Sequence, residues 1–248
     1  MGIIIQARNS SSRLPNKLLK NFHLENSLID IVLIFLKKNF FNYKIVLATS
    51  NLQCDNIFSE YSNKHKVYLF KGSHENVLER FIDASTKYEF THIIRVCSDN
   101  PFLISHYVKE LIKSLNINRS KDYISFKMSN GLPVIKSHLG LFVEIVSVSS
   151  LLKTKELTSE NKYLENVTQF IYENPDIFDV LLIDAPKIVN NFFDLRFTMD
   201  DEKDFLYLKK LYSNLYPELD NLKLLVNQIK DGSKIKRHMI SNINKYSK

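Results

Sequence analysis

Side chains able to do chemistry gather in one early loop and at two later aspartates. The run Ile5-Gln6-Ala7-Arg8-Asn9-Ser10-Ser11-Ser12-Arg13-Leu14-Pro15-Asn16-Lys17 carries three cations, three serines and no acid. Small residues let the backbone approach a phosphate chain, and successive N–H groups can form an anion-binding concavity. Arg13 and Lys17 can then clamp the charge. The order is neither Gly-x-x-x-x-Gly-Lys-Ser/Thr nor Gly-x-Gly-x-x-Gly, which disfavours a P-loop and a dinucleotide fingerprint. A solvated basic turn is the competing reading of these residues. Asp99 and Asp200 each close an apolar run, far apart in the chain. Hard oxygen donors from two strand ends suit Mg²⁺, which takes one or two carboxylates together with substrate phosphates. A turn aspartate before Pro101 and a helix N-cap at Asp200 explain the same residues equally well. Cys97 has no activating neighbour and reads as a small buried thiol.

The elements that must position these groups alternate in type. Gly2–Gln6, Lys44–Thr49, Val67–Lys71 and Thr91–Val96 read as buried strands, interleaved with helical spacing over Ser27–Phe40, Asp55–Lys64 and Glu75–Lys87 and followed by Ser105–Leu115. Such alternation implies a mostly parallel sheet covered by helices on both faces, a three-layer α/β/α sandwich. Ligands of such sheets sit outside the carboxyl ends of the strands, here Ala7–Lys17, Thr49–Ser50, Gly72–Ser73 and Cys97–Pro101. The second half is less regular. Asp122–Phe126, Leu141–Val148, Phe178–Ile183 and Asp194–Met199 read as strands, and Leu151–Lys155, Lys162–Tyr172, Lys203–Tyr212 and Leu219–Lys230 as helices. Asp201 and Asp204 read as a helix cap and a helix-surface residue.

Composition narrows the class. The chain has 248 residues, 44% hydrophobic and 25% charged, enough to bury a full core. No apolar run approaches the ~20 residues that span a bilayer, and Gly2-Ile3-Ile4-Ile5 is too short for a secretory segment. Two cysteines make neither a disulfide framework nor a metal cage, and the scattered histidines lack zinc-ligand spacing. A cytoplasmic protein with free thiols is expected. The net charge of +7 divides into +4 over residues 1–20, −2 over the body and +5 over residues 230–248. The early group marks the phosphate-facing loop. The basic tail, residues 232–248, reads as a solvated, partly frayed terminus, and nucleic acid is not the expected partner.

Gln-Ala-Arg-x-x-Ser-x-Arg-Leu-Pro-x-Lys after an N-terminal strand resembles the signature of bacterial cytidylyltransferases, which include the enzymes that activate ulosonic acids and the spore-coat-polysaccharide-type proteins. The likeness continues in order through Val46–Ser50, Phe70–Phe81, Arg95–Pro101, Leu164–Thr168 and Leu195–Asp204. It is nearest to the spore-coat-polysaccharide-type branch. The resemblance implies a Rossmann-like sheet of the nucleotide-diphospho-sugar transferase (GT-A-like) type. It implies one nucleotidyltransferase domain over residues 1–231, with a nucleotide-binding half at about 1–120 and an acceptor-binding half at about 121–231.

The resemblance also implies roles. Ala7, Arg8, Ser11, Ser12, Arg13 and Lys17 would wrap the CTP triphosphate, with Ser73 and Arg80 near the nucleoside. Asp99 and Asp200 would hold Mg²⁺, and Arg13, Lys17 and Asp99 would carry the transfer of CMP with loss of pyrophosphate. The branch shows Asp where Asn76 and Phe142 stand, and His where Asn166 stands, so an uncommon acceptor or reduced catalysis is expected. Glu144, Glu165 and Asn166, with Lys136 and His138, are the acceptor candidates. The expected activity is a CTP-dependent cytidylyltransferase acting on an acidic sugar or phosphorylated acceptor in surface-polysaccharide synthesis, as a homodimer. The competing readings are a GT-A-type glycosyltransferase, disfavoured by the lack of an Asp-x-Asp motif, and a non-catalytic nucleotide- or RNA-binding module.

Overall fold

A computed structural model describes residues 1–9 and 13–246 of the chain. In chain order its strands are β1 (Gly2–Gln6), β2 (Asn21–His23), β3 (Asn26–Ser27), β4 (Ile45–Ser50), β5 (Tyr68–Gly72), β6 (His92–Cys97), β7 (Tyr123–Lys127), β8 (Glu144–Ser147) and β9 (Val180–Asp184). The helices are α1 (Leu28–Asn39), α2 (Phe58–His65), α3 (Val77–Lys87), α4 (Ser105–Ile117), α5 (Val148–Leu157), α6 (Asn161–Glu165), α7 (Gln169–Glu173), α8 (Lys187–Asn190), α9 (Glu202–Leu215), α10 (Leu222–Asn227) and α11 (Lys234–Tyr246).

Seven strands form one sheet in the order β5-β4-β1-β6-β8-β7-β9. The neighbours are parallel except where β8 runs against β6 and β7. Strand side chains alternate between faces, and the core divides accordingly. Ile3, Ile5, Leu47, Ile94 and Val96 join one apolar cluster with α1, α4 and α9. Ile4, Val46, Ala48 and Ile93 join the other with α3, α5 and α7. Both faces are therefore buried, which is why β1 and β4 read as continuous apolar runs.

Local chemistry sets several boundaries. Ser27 and Asp30 form a reciprocal capping box that starts α1. Asn76 caps α3 by accepting the Glu79 N–H at 2.9 Å. An aspartate there would cap equally well, so this departure from the family pattern leaves the helix start intact.

The second half departs from its sequence reading in five places. Asp194–Met199 is not a strand. Leu195, Phe197 and Met199 are buried alternately, but the segment docks on the rest of the fold through one backbone bond, Phe197 N–H to His138 O at 3.0 Å. Lys162–Tyr172 breaks into α6 and α7, because Asn166 leaves the helical region and its side chain donates back to Lys162 O at 2.8 Å. The strand expected over Leu141–Val148 shortens to β8, since Ser147 caps α5 instead. Asp204 is buried, not on the helix surface. The tail expected to fray is α11 over Lys234–Tyr246, and its Lys236, Met239 and Asn242 side chains are buried.

Candidate active site

The parallel strands end on one side of the sheet, and the loops that leave them there carry the predicted groups. Because β8 is antiparallel, its first residue, Glu144, reaches the same edge, paired with Arg95. Larger cavities open along this edge beside a small one at Cys97. One, of about 470 Å³, is lined by Arg8, Ser73, Asn76 and Glu165. Another, of about 410 Å³, holds Arg13, Asp99, Asp200, Lys136, His138 and Asn166. Both are within the size range of small-molecule sites.

Asp99 follows β6 directly. Lys17 Nζ sits 2.5 Å from Asp99 Oδ2 and also donates to Met199 O at 3.2 Å. This one ammonium therefore ties the end of β6 to the residue before Asp200. Burial alone would raise the Asp99 carboxyl, but the charge and hydrogen bond of Lys17, with the charge of Arg13, hold it below the ordinary value. Asp200 receives Arg13 Nη2 at 2.7 Å and a close contact from Arg196. So each predicted metal ligand is matched by one predicted phosphate clamp.

The donor set suits a hard cation. Besides the two carboxylates, Asn100 Oδ1 and Thr198 Oγ1 are buried beside them with no hydrogen-bond partner among the described residues. Gly140, at φ +60, makes room for both. A Cβ there would lie 3.0 Å from Thr198 Cγ2 and 3.1 Å from Asn100 Oδ1. Asp99, Asp200 and these oxygens are the residues that would hold Mg²⁺.

The predicted nucleotide residues divide. Ala7 continues β1 through a backbone bond to Ala48 O at 3.1 Å. Arg8 crosses the cleft to Glu165, Nη2 to Oε1 at 3.2 Å, so Glu165 faces the Arg8 cavity while its neighbour Asn166 faces the Asp99 cavity. The Ser73 hydroxyl oxygen accepts from the Asn76 N–H at 3.1 Å. Ser11 and Ser12 lie outside the described residues.

Arg80 is the most unusual of the set. It is wholly buried beneath Gly72, and among the described residues none of its three guanidinium nitrogens has a hydrogen-bond partner. Burial, with Arg8 adding repulsion and Asp55 opposing, lowers it to about 10, so it remains charged at neutral pH. Asp55 itself accepts from Asn9 N–H at 2.7 Å and from the Ser50 hydroxyl at 2.5 Å. A buried, unpaired cation is costly unless a ligand satisfies it.

Two expected acceptor contacts already have partners within the fold. Glu144 is 1% exposed, and its oxygens are taken up by Arg95, by Tyr123 Oη at 2.5 Å and by Thr168 Oγ1 at 2.8 Å. It organises β6, β7 and the α6–α7 junction instead of meeting the acceptor directly. His138 Nδ1 accepts from Arg196 at 2.5 Å, and burial together with that guanidinium keeps its imidazole below its ordinary value. Phe142 fills an aromatic cluster, with ring centroids 5.0 Å from Phe126 and 5.6 Å from Tyr107. Apolar packing thus replaces the acid of the family pattern. Lys136 pairs with Glu173 at 3.2 Å at the rim.

Two residues escaped the sequence reading. Arg196 is 1% exposed and joins Asp200, Asp204 and His138. A lone cation within the apolar run Leu195–Met199 was the available signal. Tyr246 lines the Asp99 cavity, and nothing in its sequence neighbourhood marks it. Asp201, Asp204 and His238 lie close enough to share an ion. However, Asn242 Nδ2 already donates to Asp201 at 2.8 Å and Asp204 at 3.0 Å, so the cluster docks α11.

Known proteins resemble this chain in sequence and fold. The chain is 34% identical over 241 residues to the uncharacterised protein MJ1063 of Methanocaldococcus jannaschii, covering 97% of this chain and 93% of that protein. It is 30% identical over 214 residues to the spore coat polysaccharide biosynthesis protein SpsF of Bacillus subtilis, covering 84% and 85% respectively. A solved cytidylyltransferase from Leptospira borgpetersenii serovar Hardjo-bovis superposes with a TM-score of 0.83 at 23% identity, covering 97% of this chain and 96% of that one. The fold is thus the Rossmann-like nucleotidyltransferase sheet that the motifs implied. The cytidylyltransferase family profile matches residues 2–235, and the chain belongs to that family of nucleotidyltransferases.

Proposed function

We propose that this chain transfers CMP from CTP to an acidic sugar or phosphorylated acceptor, releasing pyrophosphate, as a step in surface-polysaccharide synthesis. One observation carries the reading: Asp99 and Asp200 line a single cavity, each paired with a cation from the loop after β1. Lys17 and Arg13 neutralise the two carboxylates. When CTP enters, its triphosphate offers those cations a denser negative charge, and they exchange partners. Lys17 and Arg13 then stabilise the pyrophosphate as it departs. Bound Mg²⁺ would supply charge neutralisation at the α-phosphate and orient the attacking oxygen. No covalent nucleophile is needed, because positioning and electrostatics account for most of such a reaction. Burial pushes the Cys97 thiol up to about 11, which keeps it protonated and inert beside Asp99.

The lining of the Asp99 cavity supports this acceptor class. Arg13 and Lys136 offer cations, while Ser137, Asn166 and Gln169 offer hydroxyl and amide groups. That set matches a carboxylate or phosphate on a polyhydroxylated body. Residues 1–120 serve as the nucleotide half and 121–231 as the acceptor half. The relationship to SpsF, whose name places it in spore coat polysaccharide biosynthesis, supports the pathway class. The test is pyrophosphate release with CTP, ATP, GTP or UTP and Mg²⁺ across a panel of 2-keto sugar acids and sugar phosphates. Release with CTP and at least one such acceptor is expected. Silence with every nucleoside triphosphate contradicts the reading.

A further inference from the structure

The C-terminal helix lies almost wholly beyond residues 2–235, the segment that the family profile matches. Its placement is nonetheless specific. Ile235, Met239, Asn242 and Tyr246 follow one another at helical spacing on a single face. Ile235 and Met239 join the apolar core. Lys236 Nζ meets Asp194 at 2.8 Å, and Asn242 and His238 bond Asp201 and Asp204 at the start of α9. These anchors hold the helix along its earlier turns.

That last turn ends on the cavity holding Asp99 and Asp200. The Tyr246 ring centroid is 5.1 Å from Arg13 Cζ and 5.4 Å from Arg196 Cζ, and the ring is part of the cavity wall. Arg13 needs such support. Its side chain is 54% exposed, and its ion pair with Asp200 is of the solvent-facing kind that confines a long side chain weakly. An aromatic face beneath a guanidinium adds attraction and restricts its rotamers.

We propose that Tyr246 is a positioning residue of the active site. It holds the Arg13 guanidinium over Asp200, where the triphosphate is to be received, so α11 completes a site that the rest of the fold leaves open on that side. This inference rests on the CTP reading above. It goes further in assigning to the active site a residue that lies outside the family's matched segment. Because Arg13 must turn from Asp200 to the phosphates, the ring's surroundings change when CTP binds.

The sequence contains no tryptophan, so Tyr246→Trp installs a single indole at this position. The full-length variant is titrated with Mg·CTP while its indole emission is followed, and calorimetry is run in parallel. The expected result is a saturable emission change with the same midpoint as the calorimetric one, and its loss when Arg13→Ala is added. Tyr246→Leu is expected to weaken CTP binding about fivefold with the melting temperature held, and Tyr246→Phe, which keeps the ring, to recover that loss. Calorimetric CTP binding with a silent indole overturns the role of Tyr246 and leaves the proposed function standing. So does equal affinity in the Leu and Phe variants. A chain that binds no CTP at all overturns the proposed function, and this inference with it.

Discussion

Asp99 and Glu144 are acids at the same edge of the sheet, and they line the same small cavity beside Cys97. Their partners differ in kind. Glu144 is held by Arg95 on β6, Tyr123 on β7 and Thr168 at the α6–α7 junction, all parts of the scaffold. Asp99 is held by Lys17, which stands on the connection after β1, and its side chain keeps 29% of its exposure. A carboxylate satisfied by the scaffold is fixed and has no charge left to offer a ligand. A carboxylate satisfied by a loop cation can exchange that partner for another. Charge and position along the strands would rank the two alike. The origin of their partners separates them, and it supports the proposal that Glu144 serves the scaffold and Asp99 the chemistry.

The sharpest break of this comparison is to neutralise each acid in turn. Asp99→Asn should lower the turnover number for nucleotidyl transfer by about a thousandfold, as the loss of a central electrostatic group does. The melting temperature should stay within a few degrees, because Lys17 can turn to Met199 O or to solvent. Asp200→Asn should behave similarly, since Arg196 retains Asp204. Glu144→Gln should do the reverse. Leaving Arg95 without its anion inside the fold should cost about 3 kcal/mol, roughly 8 °C in melting temperature. The fraction that remains folded should stay active. Comparable activity losses in Asp99→Asn and Glu144→Gln would dissolve the distinction.

Arg80 extends the same logic to a cation. Its guanidinium is buried and has no hydrogen-bond partner among the described residues, an arrangement that costs stability unless a bound anion satisfies it. Arg80→Met should raise the melting temperature of the apoprotein by a few degrees and weaken CTP binding about tenfold, as measured by thermal denaturation with and without CTP. A fall in apoprotein stability would show instead that the guanidinium is satisfied within the fold. The smallest effect concerns the thiols. Cys54 is exposed, whereas the Cys97 thiol is raised to about 11 by burial, with Asp99 and Glu144 adding to the rise. Limited alkylation near pH 8 should therefore modify Cys54 well before Cys97, as read by peptide mass. Equal labelling would mean that the Asp99 pocket is more open than its geometry implies.

The first half of the fold was legible because its signals are local. Gly2–Gln6 and Lys44–Thr49 are apolar on both faces, as central parallel strands must be, and the boundaries of β1 and β4 follow closely. The candidate site was legible for the same reason, since Arg13, Lys17 and Asp99 lie just beyond strand ends. Legibility fell where a residue's role depends on partners distant in sequence. Glu144 could be seen as an acid but not as one enclosed by Arg95, Tyr123 and Thr168. Asp194–Met199 has the alternation of a strand, but whether a ladder forms depends on a free sheet edge beside it, which periodicity does not reveal. The basic run after Gly232 looked like a solvated tail because its charges conceal one docking face. Asp194, Asp201 and Asp204, which anchor that face, lie far back in the chain.

The proposed reaction transfers the α-phosphate of CTP in the cavity shared by Asp99 and Asp200. Its most direct test supplies CTP labelled at either the α- or the γ-phosphate, with Mg²⁺ and the panel of 2-keto sugar acids and sugar phosphates. The expected result is α-label in the acceptor product and γ-label in the released pyrophosphate. Label passing to the acceptor from the γ position, or entering no acceptor from either position, would contradict it.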